Sequence, residues 1–99
     1  MNTRKTRTAR DAGELAEALG LSDAYRAALG LQLDLVERIA AEVRRAGLTH
    51  AGLARLAGTS RPRVTAILNG NLEGVSTDLL LRILAAIGVR VSLRFHRAA

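Results

Sequence analysis

The stretch from Thr49 to Gly70, THAGLARLAGTSRPRVTAILNG, constrains the fold of this chain more than any other segment. Its pattern predicts two short helices joined by a tight turn. Ala54 is small enough for two helices to cross in close contact, and Gly58 accepts the left-handed backbone conformation that such a turn needs. Val64 and Ile67 share one face of the second helix, so we expect this helix to be anchored to a core.

The spacing of these four residues is typical of a helix-turn-helix, which lays its second helix into the major groove of DNA. An ordinary helical hairpin in an all-α domain is the alternative. On the first interpretation, the face opposite the anchored one meets DNA. The candidate DNA-binding residues are Thr49, His50, Ser60, Arg61, Pro62, Arg63, Thr65, Ala66 and Asn69.

These candidates differ in the contact that we expect of them. Arg61 is the best candidate for reading a base, because a guanidinium pairs with O6 and N7 of guanine; a phosphate contact is the alternative. Thr65 is expected to touch a thymine methyl group or a phosphate, and Arg63 a phosphate. Thr49 and His50 begin the first helix of the pair, where backbone N–H groups commonly meet phosphate.

The net charge of +6 is unevenly distributed along the 99 residues. Residues 1–10 carry +4, residues 11–42 carry −5, and residues 43–99 carry +7. The basic second half indicates a polyanionic partner. The acidic residues 11–42 are less suited to bind such a partner. We expect residues 1–31 to form an N-terminal arm with short helices and residues 32–99 to form the DNA-binding domain.

Several classes of function find no support in the composition. The chain has no cysteine, and its two histidines are far apart in sequence, so neither a metal site nor a cofactor site is predicted. It also has no His–carboxylate cluster and no glycine-rich phosphate loop, which argues against an enzyme. No apolar run reaches the ~18 residues of a membrane span, so no membrane partner is predicted and a cytoplasmic location is expected.

Further helices are expected on both sides of the motif. Apolar spacing from about Leu33 predicts a helix that stops at Gly47. Before it, residues 11–30 predict two brief helices punctuated by Gly20 and Gly30. After the motif, Ser76 is expected to cap a fourth helix that runs through Ile87 and is closed by Gly88.

The final segment changes its period from helix to strand. Val89, Val91, Leu93 and Phe95 alternate with polar residues, which is typical of a half-buried strand. A lone strand leaves a row of unpaired backbone groups, and the chain shows no second convincing strand. We therefore expect these four residues to pair with their counterparts in another copy and form a homodimer.

From Leu48 to Phe95 the chain resembles helix-turn-helix domains of the xenobiotic-response-element (XRE) class, and more narrowly HigA-type antitoxins. The matching segments are LTHAGLARLAGTSRPRVTAILNG and STDLLLRILAAIGVRVSLRF. This resemblance implies an all-α, lambda-repressor-like bundle with a short C-terminal β-strand. It also implies a dimer that binds a palindromic double-stranded DNA operator and represses its own operon. The family often has Gln where this chain has His50.

Antitoxins of this type also neutralise an mRNA-cleaving toxin of the RelE fold. Such a toxin binds RNA and should be basic, so an acidic antitoxin surface would complement it. Asp11, Glu14, Glu17 and Asp23 are candidates for that surface, although surface acids are also simply common. A stand-alone or prophage XRE-family regulator without a toxin is the alternative function. The Arg-rich residues 1–10 are either a minor-groove arm or a solubilising tail.

Overall fold

A computed structural model describes residues 22–97, whose regular elements are four helices. These are α1 (Ser22–Ala46), α2 (His50–Ala57), α3 (Arg61–Leu68) and α4 (Thr77–Ala86). The predicted all-α class is confirmed for these residues. The helix expected before Gly20 and the basic residues 1–10 lie outside the described residues.

Helix α1 passes through Gly30, so the break predicted at this residue is wrong. A glycine inside a helix costs only about 1 kcal/mol relative to alanine, and the neighbouring Ala, Leu and Gln residues favour helix. The stop predicted at Gly47 is confirmed. Gly47 has a φ of 65°, and the N–H of Leu48 donates to the carbonyl of Val43 at 3.1 Å, which satisfies one of the last carbonyls of the helix.

The core lies within the compact unit that begins at Leu33. Each helix contributes the apolar face that its sequence period predicts, and Val75 joins from the loop before α4. The buried residues are Leu35, Val36, Ile39, Leu53, Ala54, Ala57, Val64, Ile67, Val75, Leu79, Leu80, Ile83 and Leu84. The packing of these aliphatic side chains therefore fixes the positions of α2 and α3.

Three helices begin at capping residues that the sequence makes available. The hydroxyl oxygen of Thr49 accepts from the N–H of Gly52 at 2.9 Å, and that of Ser76 accepts from the N–H of Leu79 at 3.0 Å. The cap predicted at Ser76 is confirmed. Each cap satisfies one of the backbone donors that a helix leaves unpaired at its start.

Glu42 on α1 is a buried acid held between two arginines of the same helix. Its carboxylate accepts from Arg45 Nη2 at 2.6 Å and from Arg38 Nε at 2.9 Å. The hydrogen bonds from Arg45 and Arg38 lower the pKa of Glu42 from its ordinary value of 4.5, against the opposing effect of burial. Glu42 therefore stays ionised beside the core.

The predicted C-terminal β-strand is not formed among the described residues. Residues 89–97 have no regular secondary structure after the turn at Gly88. Val89 packs against the core, but Leu93 is 62% exposed and Phe95 is 87% exposed. A strand needs a second strand to complete its hydrogen-bond ladder, and residues 22–88 supply none.

Candidate nucleic-acid interface

Two short helices and one tight turn build the site. Helix α2 ends at Gly58, which has φ 70° and ψ 37°, and the N–H of Thr59 donates to the carbonyl of Ala54 at 2.9 Å. Ala54 is 4% exposed, and α2, which carries it, packs against α3. The small residue and the left-handed glycine thus occupy the two positions at which the crossing needs them.

Helix α3 starts at a serine cap and is anchored by its apolar face. The hydroxyl oxygen of Ser60 accepts from the N–H of Arg63 at 3.2 Å, and Pro62 lies in the first turn, where its missing N–H costs little. Val64 and Ile67 are each 1% exposed, so they hold the helix to the core. One side of α3 is therefore committed to packing.

The predicted contact residues lie on the remaining surface of α2 and α3. Arg61, Pro62 and Arg63 are exposed at the start of α3, and Asn69 is exposed at its end. Thr65 and Ala66 are half-buried between them. The structure thus brings the predicted residues of α3 to one accessible helix surface.

Thr65 is also tied to the start of α2. Its Oγ1 lies 2.7 Å from Nδ1 of His50, and both side chains are half-buried. The two residues are fifteen positions apart in sequence. They were predicted as separate DNA contacts, and the structure joins them as a pair.

Comparison with known protein families identifies the family to which this two-helix arrangement belongs. A model of the helix-turn-helix domain family matches residues 15–96, which is most of the chain. The chain belongs to the helix-turn-helix domain family. No curated protein and no solved structure matches the chain significantly.

The helix-turn-helix domain is a DNA-binding module, which is the general function predicted from the sequence. Two further observations concern other kinds of site. None of the helices in residues 22–97 is long and apolar enough to cross a membrane. In the same residues, no group of three His, Asp or Glu side chains is arranged to hold a metal ion.

Several arginines of α1 and α4 form ion pairs within their own helix, whereas the two arginines of α3 do not. Arg38 and Arg45 are paired with Glu42, and Arg82 lies 3.4 Å from Asp78. Among the described residues, no carboxylate lies within ion-pair distance of Arg61 or Arg63. The positive charge of α3 therefore remains available to a phosphate or a guanine.

The loop after α3 positions one of these arginines, which sequence reasoning missed. Nη1 of Arg63 donates to the carbonyl of Gly74 at 3.2 Å. Within the same loop, Asn71 Oδ1 accepts from the N–H of Glu73 at 3.3 Å. The Asn71-x-Glu73-Gly74 sequence is typical of a turn, but nothing in it names Arg63 as the partner.

Proposed function

We propose that this chain is a sequence-specific transcriptional repressor of the XRE class that binds a double-stranded DNA operator as a homodimer. The observation that carries the proposal is the geometry of α3, which is anchored by Val64 and Ile67 and carries an exposed Arg61 that has no acidic partner among residues 22–97. In this role Arg61 reads guanine in the major groove, and Arg63 contacts phosphate. The chain acts by binding and not by catalysis.

The direct test is a binding selection from random-sequence DNA, followed by affinity measurements on the enriched duplex. Arg61→Ala should weaken binding by roughly 1–3 kcal/mol and relax the preference at one base position. Arg82→Ala is the matched control, because Arg82 is paired with Asp78 on α4. An Arg61→Ala protein with an unchanged base preference would reduce Arg61 to a phosphate contact.

Dimerisation through residues 89–95 is the second part of the proposal. Leu93 and Phe95 are large apolar side chains left exposed in the single chain, and they alternate with polar residues as in a strand. Pairing with the same segment of a second copy would satisfy the backbone and cover these side chains. The two α3 helices should then read half-sites roughly 34–36 Å apart, or a multiple of that distance.

Sedimentation tests the dimer directly. Leu93→Asp should shift the protein towards monomer and lower its operator affinity, because it places a charge on the apolar face of the paired strands. Ser92→Asp adds the same charge to the opposite face and should leave the dimer intact. A Leu93→Asp protein that still sediments as a dimer would place the interface elsewhere.

We further propose that the chain is a HigA-type antitoxin whose partner is a basic mRNA-cleaving toxin. The support is the resemblance of residues 48–95 and the charge of −5 over residues 11–42. Of the four acids predicted for this surface, Asp23 is described: it is exposed in the first turn of α1, 4.0 Å from Arg26. Tyr25, 49% exposed, adds apolar surface to the same turn.

Co-expression with the neighbouring open reading frame separates an antitoxin from a stand-alone or prophage regulator. A small basic protein that co-purifies, and whose mRNA cleavage is inhibited, is expected for the antitoxin. Asp23→Lys should weaken that complex, whereas Glu73→Lys, a charge reversal in the loop after α3, should not. If no such protein co-purifies, the stand-alone function is favoured, with the DNA chemistry unchanged.

A further inference from the structure

The hydrogen bond between His50 and Thr65 fixes the orientation of a side chain on the DNA-reading helix. It joins Nδ1 of the first residue of α2 to Oγ1 in the middle of α3 over 2.7 Å. Threonine in a helix divides between two χ1 rotamers, whereas valine adopts one. A partner on Oγ1 therefore selects one rotamer of Thr65 and, with it, one position for the methyl group.

We propose that Thr65 reads the C5-methyl group of a thymine through its own methyl group, and that His50 is the positioning residue that holds it there. The inference rests on the proposed function, in which α3 lies in the major groove. The thymine methyl is the apolar feature of that groove, and small apolar side-chain groups recognise it. With Oγ1 directed towards His50 on α2, the methyl group of Thr65 lies on a different side of Cβ.

Substitutions at Thr65 separate the methyl group from the hydroxyl. Thr65→Val keeps a methyl group in the dominant helical rotamer but cannot bond to His50. Thr65→Ser keeps the hydroxyl bond to His50 but has no methyl group. The proposal therefore predicts opposite outcomes for two substitutions of similar size at one position.

The probe is a duplex enriched from random-sequence DNA by the full chain, in which each thymine is replaced singly by deoxyuridine. This replacement removes only the C5-methyl group. The unsubstituted protein should lose about 2- to 5-fold in affinity at one thymine per half-site, the loss expected for one buried methyl. Thr65→Val should keep this loss, and Thr65→Ser should not show it. The proposal is overturned if Thr65→Ser discriminates as the unsubstituted protein does, or if no thymine shows the loss.

The role of His50 is tested by the same discrimination rather than by affinity alone. His50→Ala frees Thr65 to use both rotamers, so the preference for thymine over deoxyuridine should fall. In the double variant His50→Ala/Thr65→Val the preference should return, because valine needs no partner to hold its rotamer. A preference that His50→Ala leaves unchanged would overturn the positioning role. If the selection enriches no sequence at all, the proposed repressor function fails, and this inference fails with it.

Discussion

Helix α4 and the segment that follows it contrast in how they treat apolar side chains. On α4, Leu80 is fully buried and Ile83 and Leu84 are each 1% exposed, whereas Leu93 and Phe95 in residues 89–97 are largely exposed. The backbone hydrogen bonds of a helix form within the helix itself. Its apolar face therefore needs only another apolar surface to pack against. A strand needs a second strand for its backbone as well as a surface for its side chains. Residues 22–97 supply the surface that α4 needs, but they contain no strand that could pair with residues 89–97.

The largest test of this contrast substitutes one side chain in each region. Leu80→Ala should lower the free energy of unfolding by about 2–5 kcal/mol, because it opens a cavity at a fully buried site. Phe95→Ala should change that free energy by less than about 0.5 kcal/mol in dilute solution, since Phe95 is 87% exposed. Chemical denaturation of both variants measures the difference. A large loss in dilute Phe95→Ala would mean that the segment packs on its own chain.

A second test concerns Gly88, which separates the two regions. Gly88 has a φ of 85°, and the space around its Cα would admit a methyl group, so an alanine meets only backbone strain. Gly88→Ala should therefore cost about 1–2 kcal/mol in unfolding free energy. Gly30→Ala is the matched control inside α1: it has the same open surroundings but no positive φ, and should stabilise by about 0.5–1 kcal/mol. Equal effects at the two glycines would contradict the assigned backbone conformations.

A third test compares the contribution to stability of a serine hydroxyl that caps a helix with that of a serine in the irregular segment after α4. Ser76 caps α4 by accepting from the N–H of Leu79, so Ser76→Ala should cost about 1 kcal/mol. Ser92 is exposed and lies outside regular secondary structure, so Ser92→Ala should leave thermal unfolding unchanged. Neither serine is a proposed DNA contact, so operator binding reports independently that both variants are folded.

These contrasts show which features the sequence could predict. The cap at Ser76 and the turn at Gly58 each depend on a few adjacent residues, and both predictions are confirmed. The continuity of α1 through Gly30 depends on a balance of about 1 kcal/mol against the preferences of both flanks, which no single residue reveals. The alternation in residues 89–95 indicates a strand, but residues 22–97 contain no second strand that could complete its hydrogen-bond ladder.

Some features of the candidate site could likewise be predicted from the sequence, and others could not. The exposed positions of α3 follow from helical spacing once Val64 and Ile67 are known to face the core. The bond between His50 and Thr65 depends on how α2 and α3 cross, and that of Arg63 to Gly74 depends on the path of the loop. Contacts between residues fifteen and eleven positions apart cannot be inferred from the sequence. These contacts nevertheless determine which side-chain atoms are left to contact DNA.

The smallest expected effect is a loss of stability at acid pH, and it concerns Glu42, which lies beside the core. The arginines Arg45 and Arg38 lower the pKa of Glu42 in the folded chain, so the unfolded chain binds its proton at higher pH. The resulting stability is complete above the ordinary value of 4.5 and is lost as the pH falls through the lowered value. Because both arginines are more than half exposed, water screens the pairs and the effect should be modest. Thermal unfolding between neutral pH and pH 3 should show a smaller acid decline in Glu42→Gln than in the unsubstituted protein. Glu73→Gln, which removes an acid from the exposed loop, is the control; an identical decline in both variants would show that the arginine pairs do not stabilise the fold.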